Sequence, residues 1–276
     1  MYQQTMLDTL DDTALATAFN LVYADYMVPV NVDGAWIRQH VTRCDIALEH
    51  SPLWLNDDGA VVGLALLGVR GERGWLGGFG IAPAYRGKSI SRTLCEAVLR
   101  SARHVGLNEI QLEVITSNAK AIRTYEQAGF AHHRDLLILT RPPGTVTLDV
   151  DTTAAVEADP TELMRSRLTM ATAAPPWQYE PASYAGAPDL RGLVVGDPTA
   201  PLAMCLFRAS TTGARIADVA ALDVISAQTV LAGLIERIPD QSLTITNLPD
   251  GSEALPAFFA TGWVESMRQH EMLVHL

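Results

Sequence analysis

The run Tyr85-Arg86-Gly87-Lys88-Ser89-Ile90-Ser91 places cations, a glycine and hydroxyls at the entrance to a helical pattern. Upstream lies an apolar stretch, Trp75–Ile81, containing Gly77, Gly78 and Gly80. Downstream, Ile90, Leu94, Ala97, Val98, Ala102 and Val105 recur at helical spacing until Gly106 supplies a C-cap. Strand, basic turn and helix N-terminus in that order make an anion site. The first helical N–H groups lack intrahelical partners and carry the positive end of the helix dipole. A phosphate loop of the nucleoside-triphosphatase type is excluded, because G-x-x-x-x-G-K-[ST] requires glycine where Ala82 stands. A pyrophosphate held by successive backbone N–H groups, with help from Arg86, fits the turn.

The elements that must position this turn can be read on either side of it. A strand near Tyr2–Met6 precedes helical patterns at Asp12–Tyr26 and Ala35–Leu48, interrupted by Pro29. Tyr23 and Tyr26 either line a pocket or pack in the core. Leu53–Leu55 and Ala60–Arg70, joined through Asn-Asp-Asp-Gly, predict a hairpin that continues as an antiparallel meander into Trp75–Ile81. Glycine inside that last strand marks a place where a ligand or another backbone approaches closely. A strand at Ile110–Ile115, a helix at Asn118–Ala128 closed by Gly129, and a strand within Phe130–Thr140 follow. Arg-Pro-Pro-Gly at 141–144 stops regular structure and reads as a linker.

Beyond the linker the order repeats. Strands are predicted at Thr145–Val150, Leu190–Val195, Leu202–Arg208, Arg215–Ala221 and Leu243–Thr246, with helices at Thr161–Met170 and Ser226–Ile238. Phe-Phe-Ala-Thr-Gly-Trp at 258–263 echoes Tyr-Glu-Gln-Ala-Gly-Phe at 125–130, and Glu271–Leu276 echoes Asp135–Thr140. The reading is two copies of one fold, divided as 1–141 and 142–276.

Composition bounds the function. At 276 residues, 48% hydrophobic and 18% charged, the chain has material for a real core. A net charge of −11 disfavours nucleic-acid binding and is compatible with cationic small substrates drawn by a negative field. Cys44, Cys95 and Cys205 are too scattered for a disulfide scaffold or a structural zinc site, and Cys95 reads as a buried thiol. No apolar run is long enough to span a bilayer, and the acidic start MYQQTMLDTLDD lacks the form of a signal peptide. A cytoplasmic protein with no membrane partner is the expectation.

The turn resembles the R-G-x-G-x-G/A loop of the GNAT superfamily, the acyl-CoA-dependent N-acyltransferases. Asn118, Ala121, Tyr125, Gly129 and Phe130 fit that family's second signature, N-x-x-A-x-x-x-Y-x-x-x-G-F. The resemblance covers 1–141 well and 145–276 only as architecture. It implies an α+β three-layer fold, with a mixed, mostly antiparallel sheet flanked by helices and splayed between strands 75–81 and 110–115, in two tandem GNAT-like domains. It also implies acetyl-CoA as co-substrate, a small-molecule or peptide amine as acceptor, and no metal. Backbone groups of Phe79 and Ile81 would pair with the pantetheine arm. Arg86, Gly87, Lys88, Ser89, Ile90, Ser91 and Arg92 would hold the pyrophosphate, and Asn118 would contact the coenzyme beyond its thioester.

Tyr125 is the candidate general acid. A tyrosine, with a reference pKa of about 10, stays protonated at neutral pH and can serve a departing thiolate of pKa nearer 8.5. The alternative is a core tyrosine sharing a helical face with Ala121 and Ile122. Glu113 could accept the amine's proton or serve as an ion-paired strand residue, and is not assigned a catalytic role. Ser89 and Ser91 replace the loop's later glycines. They can cap the helix and donate to a phosphate, or mark a damaged loop that binds without turnover. In the second half Leu222-Asp223-Val224-Ile225-Ser226 offers neither glycine nor cation, so a structural copy without coenzyme is expected. Phe130–Thr140 leaves room for only one strand where the family has two, so the second half is expected to lend the first a strand.

Overall fold

A computed structural model describes residues 2–276 apart from 89, 146–149, 171, 186, 188, 211 and 212. The chain divides into two compact units, residues 1–133 with 270–276, and residues 134–269. The cut anticipated at 141/142 is linear, whereas these units are not.

In the first unit the order is β1 (Gln3–Met6), α1 (Asp12–Val22), α2 (Gly34–Arg43), β2 (Pro52–Leu55), β3 (Val61–Arg70), β4 (Arg73–Ile81), α3 (Ile90–Val105), β5 (Glu109–Ile115) and α4 (Ala119–Gln127). Carboxylates start the first two helices, with Asp11 accepting from the Ala14 N–H and Asp33 from the Trp36 N–H. Strands β1 to β4 form an antiparallel meander, as the hairpin signal predicts. Strand β5 then joins β4 in parallel, through the α3 crossover. The sheet continues from β5 into the closing residues of the chain's last strand, β12 (Val264–His275). Gln111 donates to the buried Glu271 at 3.3 Å, and the Leu276 N–H donates to the Asn108 carbonyl at 2.9 Å. The second half therefore lends the first a strand, because β6 (Ala131–Arg141) leaves this unit after His133.

The apolar stripe of α3 packs Leu94, Val98 and Ala102 against Val62, Ala65, Leu67, Leu112 and Val114. Helix α1 covers the opposite face, and its contact with β4 explains Gly78 and Gly80, while Gly77 is crowded by the Trp75 ring. A Cβ on Gly80 would lie 2.7 and 2.8 Å from Val22 side-chain atoms, and one on Gly78 would lie 3.1 Å from the Phe19 ring. Of the two close approaches the sequence allowed at these glycines, the structure shows that of the chain itself, and Gly80 also lines the cavity described below.

The second unit repeats the plan with β7 (Ala155–Ala158), α5 (Pro160–Arg167), β8 (Arg191–Asp197), β9 (Ala200–Ala209), β10 (Gly213–Ala221), α6 (Val224–Arg237), β11 (Ser242–Pro249) and α7 (Leu255–Ala260). Residues 134–141 of β6 pair antiparallel with β11. The repeat extends to an irregularity. The β3–β4 ladder shifts between Gly78 and Leu76, and the β9–β10 ladder shifts at the equivalent place, between Ile216 and Asp218. Arg141 ends β6 instead of opening the linker, and its buried guanidinium donates to the carbonyls of Thr261, Pro142 and Thr145. Most of the strand expected at Thr145–Val150 lies outside the described residues. Strand β7, only four residues of Ala-Val-Glu-Ala, carries too little pattern to be seen in the sequence.

Gly80→Ala should cost about 1–3 kcal/mol of stability, since the methyl group meets Val22 at both side-chain and backbone atoms. Denaturant unfolding of the full chain measures it, with Gly59→Ala as a control for left-handed strain in open space.

Candidate active site

The parallel pairing of β4 with β5 is short, running only from Arg73↔Glu109 to Trp75↔Gln111. Past Trp75 the two strands separate, and a cavity of about 560 Å³ opens at their C-terminal ends. Its walls come from the end of β4 (Phe79, Gly80, Ile81), the turn (Tyr85, Arg86, Gly87), the first turn of α3 and of α4, and the tail of α1. This is the splay that the sequence reading expects.

The turn begins with a short 3₁₀ segment, Pro83–Tyr85, and Gly87 adopts the left-handed conformation at φ 77°. A side chain at Gly87 would meet nothing within 4 Å, so the backbone there faces open space. Ile90 and Ser91 line the cavity at the N-terminus of α3, whose leading N–H groups point out of the helix. Ser89 lies outside the described residues. Gly87, Ile90 and Ser91 thus lie together on the cavity wall, beside the N-terminus of α3.

The cations are placed otherwise than expected. The Arg86 guanidinium donates to the carbonyls of Ile81 (3.0 Å), Val22 (3.1 Å) and Ala24 (2.7 Å). It lines the cavity but is spent on fastening the tail of α1 to the end of β4. Lys88 donates to the Ala84 carbonyl at 3.3 Å and sits 5.5 Å from the Tyr85 ring centroid. Arg92 pairs with Glu96 one turn along α3 at 3.1 Å and is exposed. Neither Lys88 nor Arg92 lines the cavity, because α3 starts at Ile90 and turns position 92 outward.

The strand atoms expected to meet pantetheine are also engaged. The Phe79 N–H donates to the Tyr23 hydroxyl at 3.1 Å, and the Ile81 carbonyl accepts from Arg86. Asn118 caps α4 by accepting from the Ala121 N–H at 3.3 Å, and its side chain also bonds Tyr26. Tyr23 and Tyr26 thus belong to the site, which settles in favour of the pocket the two readings the sequence allowed. Burial pushes the Tyr23 hydroxyl up to about 12, partly offset by the Phe79 N–H.

Tyr125 lies beneath, 7% exposed, edge-on to Phe79 at 5.6 Å and to Phe130 at 5.8 Å. Burial, reinforced by Tyr23, Cys95 and Tyr26 nearby, holds its pKa well above the ordinary value. It keeps its proton at any physiological pH, shares the core with Ala121 and Ile122, and is not among the residues that line the cavity. Burial also pushes Cys95 up to about 12, which leaves an inert thiol. Glu113 accepts from the Trp75 indole N–H at 2.8 Å and does not line the cavity.

The equivalent opening in the second unit is filled. Strands β10 and β11 also pair in parallel for only a few residues, Gly213–Ile216 with Ser242–Ile245. Beyond them Pro175, Pro176 and Tyr179 occupy the gap, leaving about 20 Å³, room for one water. Asn247, buried and at φ 61°, lines that remnant, and its Oδ1 lacks a partner among the described residues. Where β4 carries Gly78, β10 carries Asp218, which takes a 2.7 Å ion pair from Arg167. At the start of α6 the Asp223 carboxylate accepts from the Ser226 N–H at 2.8 Å, which lowers its pKa. The anion seat of this helix is already filled by the chain's own carboxylate.

Comparison with known proteins places this geometry. Residues 15–130 match the model of the Acetyltransferase (GNAT) family. A mycothiol acetyltransferase of Stackebrandtia nassauensis is 31% identical over 134 residues, which are 44% of this chain and 41% of that protein. The match thus spans about two fifths of that relative's length. A GCN5-related N-acetyltransferase from Sphaerobacter thermophilus superposes with a TM-score of 0.70 at 16% identity, covering 99% of this chain and 95% of the other. A tandem GNAT protein from the clavulanic acid biosynthesis pathway does so with a TM-score of 0.66 at 13% identity, covering 100% and 98%. At these identities the structural likeness speaks for the fold, tandem arrangement included. No helix among the described residues is long and apolar enough to cross a membrane.

Beside this site, His40 titrates against the fold. It is buried, stacked on Trp36 at 4.8 Å and 5.9 Å from the Trp75 ring, with Nδ1 3.8 Å from the Cys44 Sγ. Burial, aided by Arg43, lowers its pKa from 6.5 to about 4. Between those values the unfolded chain binds the proton and the folded one does not, so stability is full above about 6.5 and falls with pH toward 4. The loss should reach roughly 3 kcal/mol. Denaturant midpoints measured from pH 7 to 4.5 should fall less steeply in His40→Gln.

Proposed function

We propose, from the match of residues 15–130 to the GNAT acetyltransferase family, that the first unit transfers the acetyl group of acetyl-CoA to a primary amine by direct attack. The observation that carries the reading is the cavity at the β4–β5 splay, open to the N-terminus of α3, with Tyr125 packed behind its Phe79 wall. The face above Gly87, where a Cβ would meet nothing within 4 Å among the described residues, leaves room for a diphosphate. Acetyl-CoA supplies an acyl group already activated as a thioester. Backbone N–H groups from Gly87 to Arg92 would hold the diphosphate, with Ser91 and Arg86 at its edge, while Asn118 and Ile81 flank the arm and Phe79 offers the acyl end an N–H. Tyr125 keeps its proton and donates a hydrogen bond to the sulfur as charge builds there. With its pKa raised, this bond stabilises charge more than it delivers a free proton. The second unit acts as a structural copy, and its plugged cleft and self-capped helix support that role.

A second reading is favoured by one specific finding. The candidate general acid Tyr125 is not among the residues that line the cavity, as expected of a domain that binds acyl-CoA without turnover. Calorimetry with acetyl-CoA, followed by a free-thiol assay across an amine panel that includes a mycothiol-type acceptor, separates the two. Binding with thiol release establishes the transferase. Binding without release across the panel favours the binder, and no binding removes both.

Tyr125→Phe should lower turnover by roughly 10²-fold while acetyl-CoA affinity changes less than about twofold, in the range of general acid loss. Ser91→Glu separates the anion seat from helix stability. A carboxylate in the first turn suits the dipole, so the melting temperature should hold or rise, yet acetyl-CoA affinity should drop by about tenfold or more.

A further inference from the structure

The tail of α1 sits on the groups that an acyl donor needs. The Phe79 N–H points into the splay, on the side of β4 that has no strand neighbour beyond Trp75, and the Tyr23 hydroxyl occupies it at 3.1 Å. Tyr23 has little slack, because Val22 rests on Gly80 and Phe19 on Gly78. The Arg86 guanidinium then holds the residues on both sides of Tyr23, Val22 and Ala24, and ties them to Ile81 of the same strand. Asp25, next in line, takes a left-handed conformation at φ 62°, and Tyr26 packs edge-on against Tyr23 at 5.2 Å.

Arg86 holds this arrangement with neutral partners only. Three carbonyls accept from it, and no described carboxylate is paired with it. A phosphate offers the guanidinium an opposite charge and a bidentate pair of acceptors, which a neutral carbonyl does not. The loop bearing Arg86 is the one that opens onto the α3 N-terminus, so an anion seated there competes for the guanidinium.

We propose that Arg86 and Tyr23 form a latch that closes the acyl seat on β4 until a diphosphate engages the loop. Tyr23 thereby selects complete coenzyme thioesters over fragments that carry the same thioester and pantetheine arm without the diphosphate. With the diphosphate in place Arg86 turns to it, the tail of α1 loses its fastening, and the Tyr23 hydroxyl leaves the Phe79 N–H free for the donor's carbonyl. A fragment must displace Tyr23 unaided. The proposal rests on acetyl-CoA being the donor and adds how this chain chooses it.

Calorimetry with acetyl-CoA and with S-acetylpantetheine, on the wild type and on Tyr23→Phe, tests the latch. The variant removes one oxygen, and its melting curve confirms the fold. Fragment affinity should rise about fivefold in Tyr23→Phe, the worth of one net hydrogen bond, while acetyl-CoA affinity rises less than about twofold. Fragment affinity that is unchanged or lower in the variant overturns the latch, because the hydroxyl then is no competitor. If wild type binds no acetyl-CoA, the proposed activity and the latch fall together. If it binds acetyl-CoA and the preference ratio stays fixed, the latch alone falls. A second measurement needs no variant. Saturating inorganic pyrophosphate should speed hydrogen exchange at the Phe79 amide severalfold, and exchange that stays as slow as without it overturns the coupling through Arg86.

Discussion

Everything at this site follows from the failure of two neighbouring strands to stay paired. Strands β4 and β5 share a ladder only from Arg73 to Trp75, and the backbone groups of β4 beyond that which face away from β3 must find a partner elsewhere. A buried N–H or C=O left alone costs on the order of 1–3 kcal/mol, so the opening cannot simply be a gap. The protein satisfies it from the helical side. Tyr23 serves the Phe79 N–H and Arg86 serves the Ile81 carbonyl, with the glycines of β4 letting α1 come close enough for both. The same groups that make the opening useful to a ligand therefore make it necessary to fill.

The second unit shows the other solution. Its β10 and β11 separate after a similarly short parallel stretch, at an equivalent ladder irregularity. There the Pro- and Tyr-bearing segment from Pro175 to Tyr179 fills the space, and the Arg167–Asp218 pair stands where close packing on glycine stands in the first unit. A dipole end that could attract an anion is met by Asp223. Duplication of a fold preserves the backbone rule, but which groups satisfy it decides whether a cavity of about 560 Å³ or about 20 Å³ remains.

The sequence showed the fold to a large degree because its signals are local. The Asn-Asp-Asp-Gly turn, the stripe along Ile90–Val105, and the match between residues 125–130 and 258–263 all sit within single elements or adjacent ones. Gly87, Ile90, Ser91 and Asn118 could be placed on the same ground, since turn chemistry and helix N-termini need no tertiary knowledge. What could not be read were the side chains whose partners lie far away in the chain. Arg86 reads as a cation facing an anion, yet its partners include Val22 and Ala24. Tyr23 reads as an aromatic in a helix tail until β4 is brought against it. Glu113 looks free on a polar strand face until Trp75 turns its indole toward it.

The glycines of β4 carry the same lesson in a sharper form. Glycine in a strand says that something approaches closely, and it does not say what. These glycines are consistent with a thioester arm lying on the strand, and the structure shows Phe19 close to Gly78 and Val22 close to Gly80. These accounts meet at one atom, because the helix that crowds Gly80 also delivers the Tyr23 hydroxyl to the Phe79 N–H. A larger residue at 80 would hold α1 off and leave that N–H to water. The small residue keeps the strand covered, and whatever the site binds must then be strong enough to uncover it.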